Sequence, residues 1–157
     1  MLRARSVLIA VAPIAIAATA AGCGSGNEEV SPTELVQKAD AICREEQAKF
    51  DQIQAHAPAN ASVAADQTAE LIHVSEAASS DLGDLEPPED LADGYETYLE
   101  ARDRAVDQMK RGRDAAEKRD SAGYAAAQTA VAKAAEERRR LAAALDLRIC
   151  GASARAG

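Results

Sequence analysis

The stretch "LEPPED" at residues 85–90 separates two long amphipathic segments and predicts where one helix ends and the next begins. Pro87 has no N–H to donate, and its ring restricts Glu86 to extended backbone, so a helix cannot continue through this point. Pro88 fits the first turn of a following helix, where the two acidic residues after it complement the helix dipole. The stretch therefore predicts two helices joined by a sharp break.

The segments on either side of this break have apolar residues at spacings of three, four and seven, the pattern of amphipathic helices. The predicted helices span residues 62–85 and 88–119. The first apolar stripe contains Val63, Leu71, Val74, Ala78, Leu82 and Leu85, and the second contains Leu91, Tyr95, Tyr98, Leu99, Val106 and Met109.

Two further helices are predicted outside this pair. Ser31 as N-cap, Pro32 at the first helical position and Glu34 as the capping-box acid begin a helix that extends to residue 55. Ser121 is the expected N-cap of a last helix, which extends to residue 146. Four helices joined by short breaks predict an all-α, up-down-up-down four-helix bundle over residues 31–150.

Arg102 and Arg138 fall on the inward stripes of this bundle. One interpretation is that their long stems lie along the bundle edge and carry the charge out to water. The alternative is a buried ion pair with an acid such as Glu46, which costs more in lost hydration.

Residues 1–22 have the pattern of an export signal peptide. Arg3 and Arg5 precede an apolar run over residues 7–18 that ends in small residues. A membrane-spanning helix is the alternative, but it needs about 20 predominantly apolar residues. This run is shorter and contains Pro13, so export is the prediction.

The order Ala20-Ala21-Gly22-Cys23 resembles the lipobox of bacterial lipoproteins, in which diacylglycerol is attached to the cysteine before cleavage in front of it. The lipobox usually has Leu where this chain has Ala20. The resemblance implies that Cys23 is the lipidated N-terminus and that residues 23–30 form a flexible, glycine-rich tether. A chance cysteine beside an ordinary cleavage site is the alternative.

Cys43 and Cys150 are expected to meet, because the first helix begins and the last helix ends at the same end of the bundle. Export places both in an oxidising compartment, which favours a disulfide over two free thiols. Cys43 lies three turns inside its helix whereas Cys150 follows the end of its own, so the first helix is expected to overhang. Residues 151–157 are predicted to be a disordered tail.

The charge of the chain argues against nucleic acid as a partner. Removing residues 1–22 takes away two arginines and no acid, which leaves 16 basic and 26 acidic side chains and a net charge of −10. Phosphate backbones require a basic surface. Aromatic residues are 3% of the chain and tryptophan is absent, a composition that favours closely packed helices over a large cavity.

The sequence offers no complete set of catalytic or metal-binding residues. Glu70 and His73 form one Glu-x-x-His turn, whereas a ferritin-like di-iron site needs two such turns and two further glutamates. The other histidine, His56, has no matching glutamate. We therefore expect no metal, no cofactor and no enzymatic activity, with His73 at the surface.

Three short motifs carry a resemblance over nearly the whole chain: "ADAIC" at 39–43, "LEPPEDL" at 85–91 and "LRICG" at 147–151. Together they resemble small helical lipoproteins of high-GC Gram-positive bacteria, a family without an assigned activity. The resemblance implies an exported helical domain with a terminal disulfide, and it implies no chemistry.

Two functions are consistent with this sequence. The first is a non-catalytic interaction module, anchored by lipid at the outer face of the cell membrane, with another envelope protein as its partner. The alternative is a lipid-anchored carrier or sensor that holds a small apolar ligand between its helices.

Overall fold

The structure is a computed structural model that describes residues 30–152. The predicted signal peptide at 1–22, the lipidated Cys23, most of the tether and the tail after Ala152 lie outside the described residues, so those assignments stay predictions.

The described chain contains four α-helices and no strand, which confirms the predicted all-α, up-down-up-down bundle. Because consecutive helices run in opposite directions, α1 and α3 begin, and α2 and α4 end, at one end of the bundle, called here the disulfide end. The helices are α1 (Pro32–Ile53), α2 (Ala61–Gly83), α3 (Ala92–Glu117) and α4 (Ser121–Ala144).

The start of α1 follows the predicted capping pattern. The Ser31 hydroxyl accepts a hydrogen bond from the Glu34 backbone N–H at 3.3 Å, and Pro32 occupies the first turn. Val30 packs against the core cluster that contains Leu35, which is the arrangement of a hydrophobic staple. The chain therefore enters the bundle at the disulfide end in a defined position.

Two helix starts differ from the prediction. Pro88 lies in a turn closed by hydrogen bonds from Leu91 N to Pro88 O and from Ala92 N to Glu89 O, and α3 begins only at Ala92. The N-cap of α4 is Asp120, one residue before the expected Ser121, and its carboxylate accepts the Gly123 N–H at 2.9 Å.

Asp120 also explains why α3 and α4 are joined so tightly. Its N–H donates to Ala115 O at 2.8 Å, while Arg119, with φ of 57°, donates to Ala116 O. These two bonds form a Schellman motif, in which a left-handed residue lets the next N–H reach back to the helix end. One aspartate thus closes α3 and caps α4, which orients the two helices in opposite directions.

The largest side chains of the core gather at the disulfide end. The Tyr95 hydroxyl donates to Leu82 O at 2.8 Å, so a buried phenol satisfies a carbonyl near the end of α2. Toward the other end, the far end, the core consists mainly of alanines. The disulfide-end cluster contains Leu35, Ala39, Cys43, Leu82, Tyr95, Tyr98, Ala142, Leu145, Leu147 and Cys150.

The helices are unequally spaced. A Cβ placed on Gly112 of α3 would lie only 3.5 Å from Ala127 Cβ of α4, so small residues let these two helices approach closely. In contrast, no Cα atom of α1 comes within 8 Å of one in α3 or α4. A wide seam therefore separates α1 from α4, and larger side chains fill it.

The chain after α4 closes this seam by folding back. Asp146, with φ of 58°, follows the helix, and Leu147 N donates to Ala142 O at 2.9 Å in a second Schellman motif. Gly151 N then donates to Leu147 O at 3.1 Å, and a Cβ on Gly151 would lie 3.8 Å from Arg139 O. The expected overhang of α1 is therefore wrong, because the last segment turns back beside α4 and brings Cys150 to Cys43.

Gly151 and Ala152, which the sequence assigns to the tail, belong to this closing turn, since Ala152 N donates to Ile149 O at 2.9 Å. Within residues 30–152, no helix combines the length and the apolar character that crossing a membrane requires.

Candidate functional site

Cys43 and Cys150 form a disulfide, as predicted, and the free-thiol alternative is wrong. Their Cα atoms are 5.1 Å apart across a sequence separation of 107 residues. Both residues are buried in the disulfide-end core. The bond joins α1, three turns after its start, to the segment that folds back after α4, so it fastens the first and last parts of the bundle together.

Asp40 holds the same segment by hydrogen bonds. Its Oδ1 accepts the N–H groups of Ile149 at 2.9 Å and of Cys150 at 3.2 Å. Asp40 lies one turn before Cys43 on α1. Its hydrogen bonds and the disulfide of Cys43 therefore hold neighbouring residues of the segment that returns after α4. The sequence contained this residue in its "ADAIC" motif, but the spacing alone did not indicate that a backbone more than 100 residues away would need an acceptor.

Arg102 of α3 makes a buried ion pair with Glu46 of α1. The Arg102 Nη2 to Glu46 Oε1 distance is 2.8 Å, and the two side chains are only 2% and 10% exposed. Arg102 also donates from Nε to Ser79 Oγ at 3.2 Å and from Nη1 to Tyr98 Oη at 3.4 Å. The buried-pair interpretation is therefore correct for Arg102, and the edge interpretation is wrong.

Burial opposes the charge on Arg102, but the Glu46 carboxylate and the Tyr98 oxygen outweigh that effect. The pKa of Arg102 consequently lies above its ordinary value, and the guanidinium stays charged in the core. The pair joins α1 to α3, which have no Cα atoms within 8 Å of each other. It therefore stabilises the part of the bundle in which the helices are widely separated.

Arg138 of α4 lies beside this pair without completing it. Its Nε is fully buried and has no hydrogen-bond partner among the described residues. Burial and the positive charge of Arg102 lower the pKa of Arg138, while Glu46 acts in the opposite direction. The buried-pair interpretation is therefore wrong for Arg138, whereas the edge interpretation agrees with a side chain that is only partly buried.

A small cavity of about 10 Å³ adjoins Arg138 in the seam between α1 and α4. The two disulfide cysteines, Cys43 and Cys150, line part of it, and its more exposed lining residues lie on α1 and on the segment after α4. We call it the arginine cavity. Its lining includes Cys43, Glu46, Phe50 and Arg138, with the more exposed Gln47 and Ala152.

The far end of the bundle has a different feature, an apolar groove of about 310 Å³. The composition favoured close packing over a large cavity, and this groove departs from that expectation. Alanine methyl groups are short, so they leave space where the ends of α2, α3 and α4 meet. The lining includes Ala61, Ala64, Ala116, Arg119, Ser121 and Tyr124.

The two histidines considered as metal ligands do not lie in a common site. His73 is exposed on α2, as expected, and His56 is exposed in the α1–α2 connection. Residues 30–152 contain no group of three His, Cys, Asp or Glu side chains placed to hold a metal ion. Cys23 lies outside the described residues.

The fold and its contacts thus define a disulfide-fastened, all-α bundle with a buried Arg102–Glu46 ion pair in its core. No protein-family model, no curated protein and no solved structure matches the chain.

Proposed function

We propose that the chain is a lipid-anchored lipoprotein at the outer face of the cell membrane, and that its bundle is a non-catalytic interaction module. The observation that carries the proposal is the Cys43–Cys150 disulfide. Structural disulfides form and persist in exported proteins and are rare in the cytosol. The bond agrees with the export signal at residues 1–22 and with the resemblance to actinobacterial lipoproteins.

The position of the N-terminus supports a defined placement relative to the membrane. Val30 packs on the disulfide-end core, so the tether from Cys23 ends at that end of the bundle. Residues 24–30 reach at most about 25 Å when extended at roughly 3.5 Å per residue. An envelope protein that contacts this bundle therefore lies close to the lipid surface.

The outer faces of the bundle are suited to a polar contact. They carry exposed ion pairs between neighbouring helices, such as Lys110 with Glu76 at 2.9 Å and Arg104 with Glu137 at 3.1 Å. Exposed pairs of this kind contribute little to stability. The chain after residue 22 has a net charge of −10, which leaves an excess of acids. A partner with a basic surface would associate faster, and salt would weaken the association.

Replacing Cys23 with alanine is expected to release the protein from the membrane, because the acyl chains supply the attachment and an acidic bundle is repelled by anionic lipids. The measurement is the distribution between membrane and soluble fractions, with mass spectrometry of the mature N-terminus. Ala20→Leu is the matched control, since it restores the usual lipobox residue and should leave the anchor intact. A mature protein that begins elsewhere, or that lacks the acyl mass, would contradict the proposal.

The interaction itself is tested by crosslinking in intact cells and mass spectrometry of the captured proteins. Wild type is compared with Cys23→Ala and with a variant whose tether carries a flexible insert. We expect both changes, and added salt, to reduce recovery of the same partner. Equal recovery in all of these conditions would refute a partner reached by proximity and charge.

The apolar groove favours a second candidate function, carriage of a small apolar ligand. Its volume of about 310 Å³ lies at the lower limit of typical ligand sites, about 300–1,000 Å³. Its position at the far end also keeps it away from the tether, so a ligand could enter from the side opposite the membrane attachment.

The carrier hypothesis predicts ligand-dependent thermal stabilisation, which grows as RT ln(1 + [L]/Kd) when fatty acids or similar apolar compounds are added. Ala61→Leu should fill part of the groove and abolish the shift. Ala77→Leu is the matched control, because Ala77 is also exposed on α2 but lies outside the groove. If no apolar compound shifts the unfolding midpoint, or if both variants behave alike, the groove is not a ligand site.

A further inference from the structure

We propose that the apolar groove at the far end of the bundle binds a medium-chain carboxylic acid, with its alkyl chain on the alanines and its carboxylate against Arg119. This inference deepens the second candidate function, carriage of a small apolar ligand, and it rests on that function. It assigns the class of ligand and the residue that recognises its head group.

The lining of the groove suits an alkyl chain. Ala61 and Ala64 of α2 and Ala116 near the end of α3 offer methyl groups and no polar side-chain atom, and Tyr124 of α4 adds an aromatic ring. Each methylene buried on such a surface raises the affinity about four-fold. An unbranched chain therefore gains affinity for as long as the groove has room for it.

The volume limits the length of that chain. The groove measures about 310 Å³, and at roughly 30 Å³ for each group the size of a water molecule it holds about ten such groups. A single chain of that length, such as decanoate, fills the groove, whereas a lipid with two long chains exceeds it.

Arg119 supplies an unpaired positive charge at the groove. Its exposed guanidinium forms no ion pair or hydrogen bond with another residue in the range 30–152. In contrast, Arg104, Lys110 and Arg113 of α3 are each paired with an acid. A guanidinium binds a carboxylate through two parallel hydrogen bonds. Arg119 therefore complements the head group of a carboxylic acid.

Asp120 is the other charged residue that lines the groove, and its carboxylate is already engaged. It accepts the Gly123 N–H at 2.9 Å as the N-cap of α4, where the helix dipole offsets its charge. The Tyr124 hydroxyl has no hydrogen-bond partner in the described part of the chain, so it is available as a second donor. These groups favour an acid over an amine as the head group.

The length of the chain is tested by isothermal titration calorimetry of the full mature chain carrying Cys23→Ala, which needs no detergent that would compete for the groove. The ligands are hexanoate, octanoate, decanoate and dodecanoate, each below the concentration at which it forms micelles. We expect the affinity to rise about four-fold per methylene up to decanoate and then to level off. A rise that continues unchanged to dodecanoate would overturn the assignment of a medium-length chain.

The head group is tested by the ratio of the decanoate affinity to the decanol affinity. Arg119→Gln should lower this ratio about two- to five-fold, the effect of losing an exposed ion pair. It removes the charge and keeps a non-glycine residue in the left-handed turn. Lys118→Gln is the matched control, because Lys118 is also exposed but lies outside the groove, and it should leave the ratio unchanged.

An unchanged ratio in Arg119→Gln, or an equal fall in Lys118→Gln, would overturn the head-group assignment, and binding of decanol would then leave the carrier function standing. If neither decanoate nor decanol binds, both the inference and the carrier function are wrong. NMR of the chain without Arg119→Gln covers the case in which that variant does not fold. The Arg119 Nε–H signal should shift with decanoate and not with decanol, and its failure to shift with decanoate would also overturn the proposal.

Discussion

Replacing Cys43 and Cys150 together with alanine is expected to lower the free energy of unfolding by about 4–5 kcal/mol, as the chain-entropy model gives for a loop of about 100 residues. The bond closes a loop with a sequence separation of 107 residues, so its loss frees almost the entire folded chain in the unfolded state. Native domains are stable by only about 5–15 kcal/mol. Urea unfolding followed by far-ultraviolet circular dichroism measures the change, with most of the helix retained before the transition.

The single variants are the matched controls. Either one alone removes the crosslink, so each should lose nearly as much stability as the double variant, and the effects should be far from additive. A reductant should shift the wild type to the midpoint of the double variant and leave the latter unchanged. The prediction fails if the oxidised and reduced wild types unfold at the same urea concentration.

Replacing Glu46 with glutamine is expected to cost about 3–5 kcal/mol, the range for breaking a buried ion pair by removing one partner. The change preserves the shape of the side chain but removes the carboxylate, which leaves the buried Arg102 without an acid and beside the partly buried Arg138. The same unfolding measurement reports the loss.

Adding Arg102→Met to Glu46→Gln should restore part of the lost stability, because it removes the buried charge that has lost its partner. Glu34→Gln is the exposed control: its pair with Lys38 is about half exposed on both sides, and pairs of this kind contribute at most about 1 kcal/mol. If the two core substitutions were simply additive, or if Glu46→Gln were as mild as Glu34→Gln, the electrostatic account of the cluster would be wrong.

The strongest stabilising contacts lie at one end of the bundle. The disulfide, the hydrogen bonds of Asp40, the large core side chains and the attachment of Val30 all lie toward the disulfide end. The far end has small alanine contacts and the groove. We therefore expect the far end to open first as denaturant is added, since little apolar area is buried there.

Sequence patterns alone predicted the four helices, the breaks between them and the pairing of Cys43 with Cys150. The helices follow from interactions between residues close in the chain, such as the Ser31 cap and the apolar stripes. The cysteine pairing follows from the directions of the helices and from the oxidising compartment expected after export. The ends of α3 and α4 were harder to predict. Both finish in Schellman motifs with Arg119 and Asp146 in the left-handed region, where glycine is the usual signal.

How the seam between α1 and α4 is filled depends on contacts between residues far apart in the chain. The returning segment, its hydrogen bonds to Asp40 and the choice of Glu46 as the partner of Arg102 join residues 56–110 positions apart. An inward arginine has the same helical spacing whether its charge reaches water, meets an acid or stays unpaired. Which of these occurs depends on the distances between helices. Between α3 and α4, for example, the small residues Gly112 and Ala127 allow a close approach through packing that no local pattern encodes.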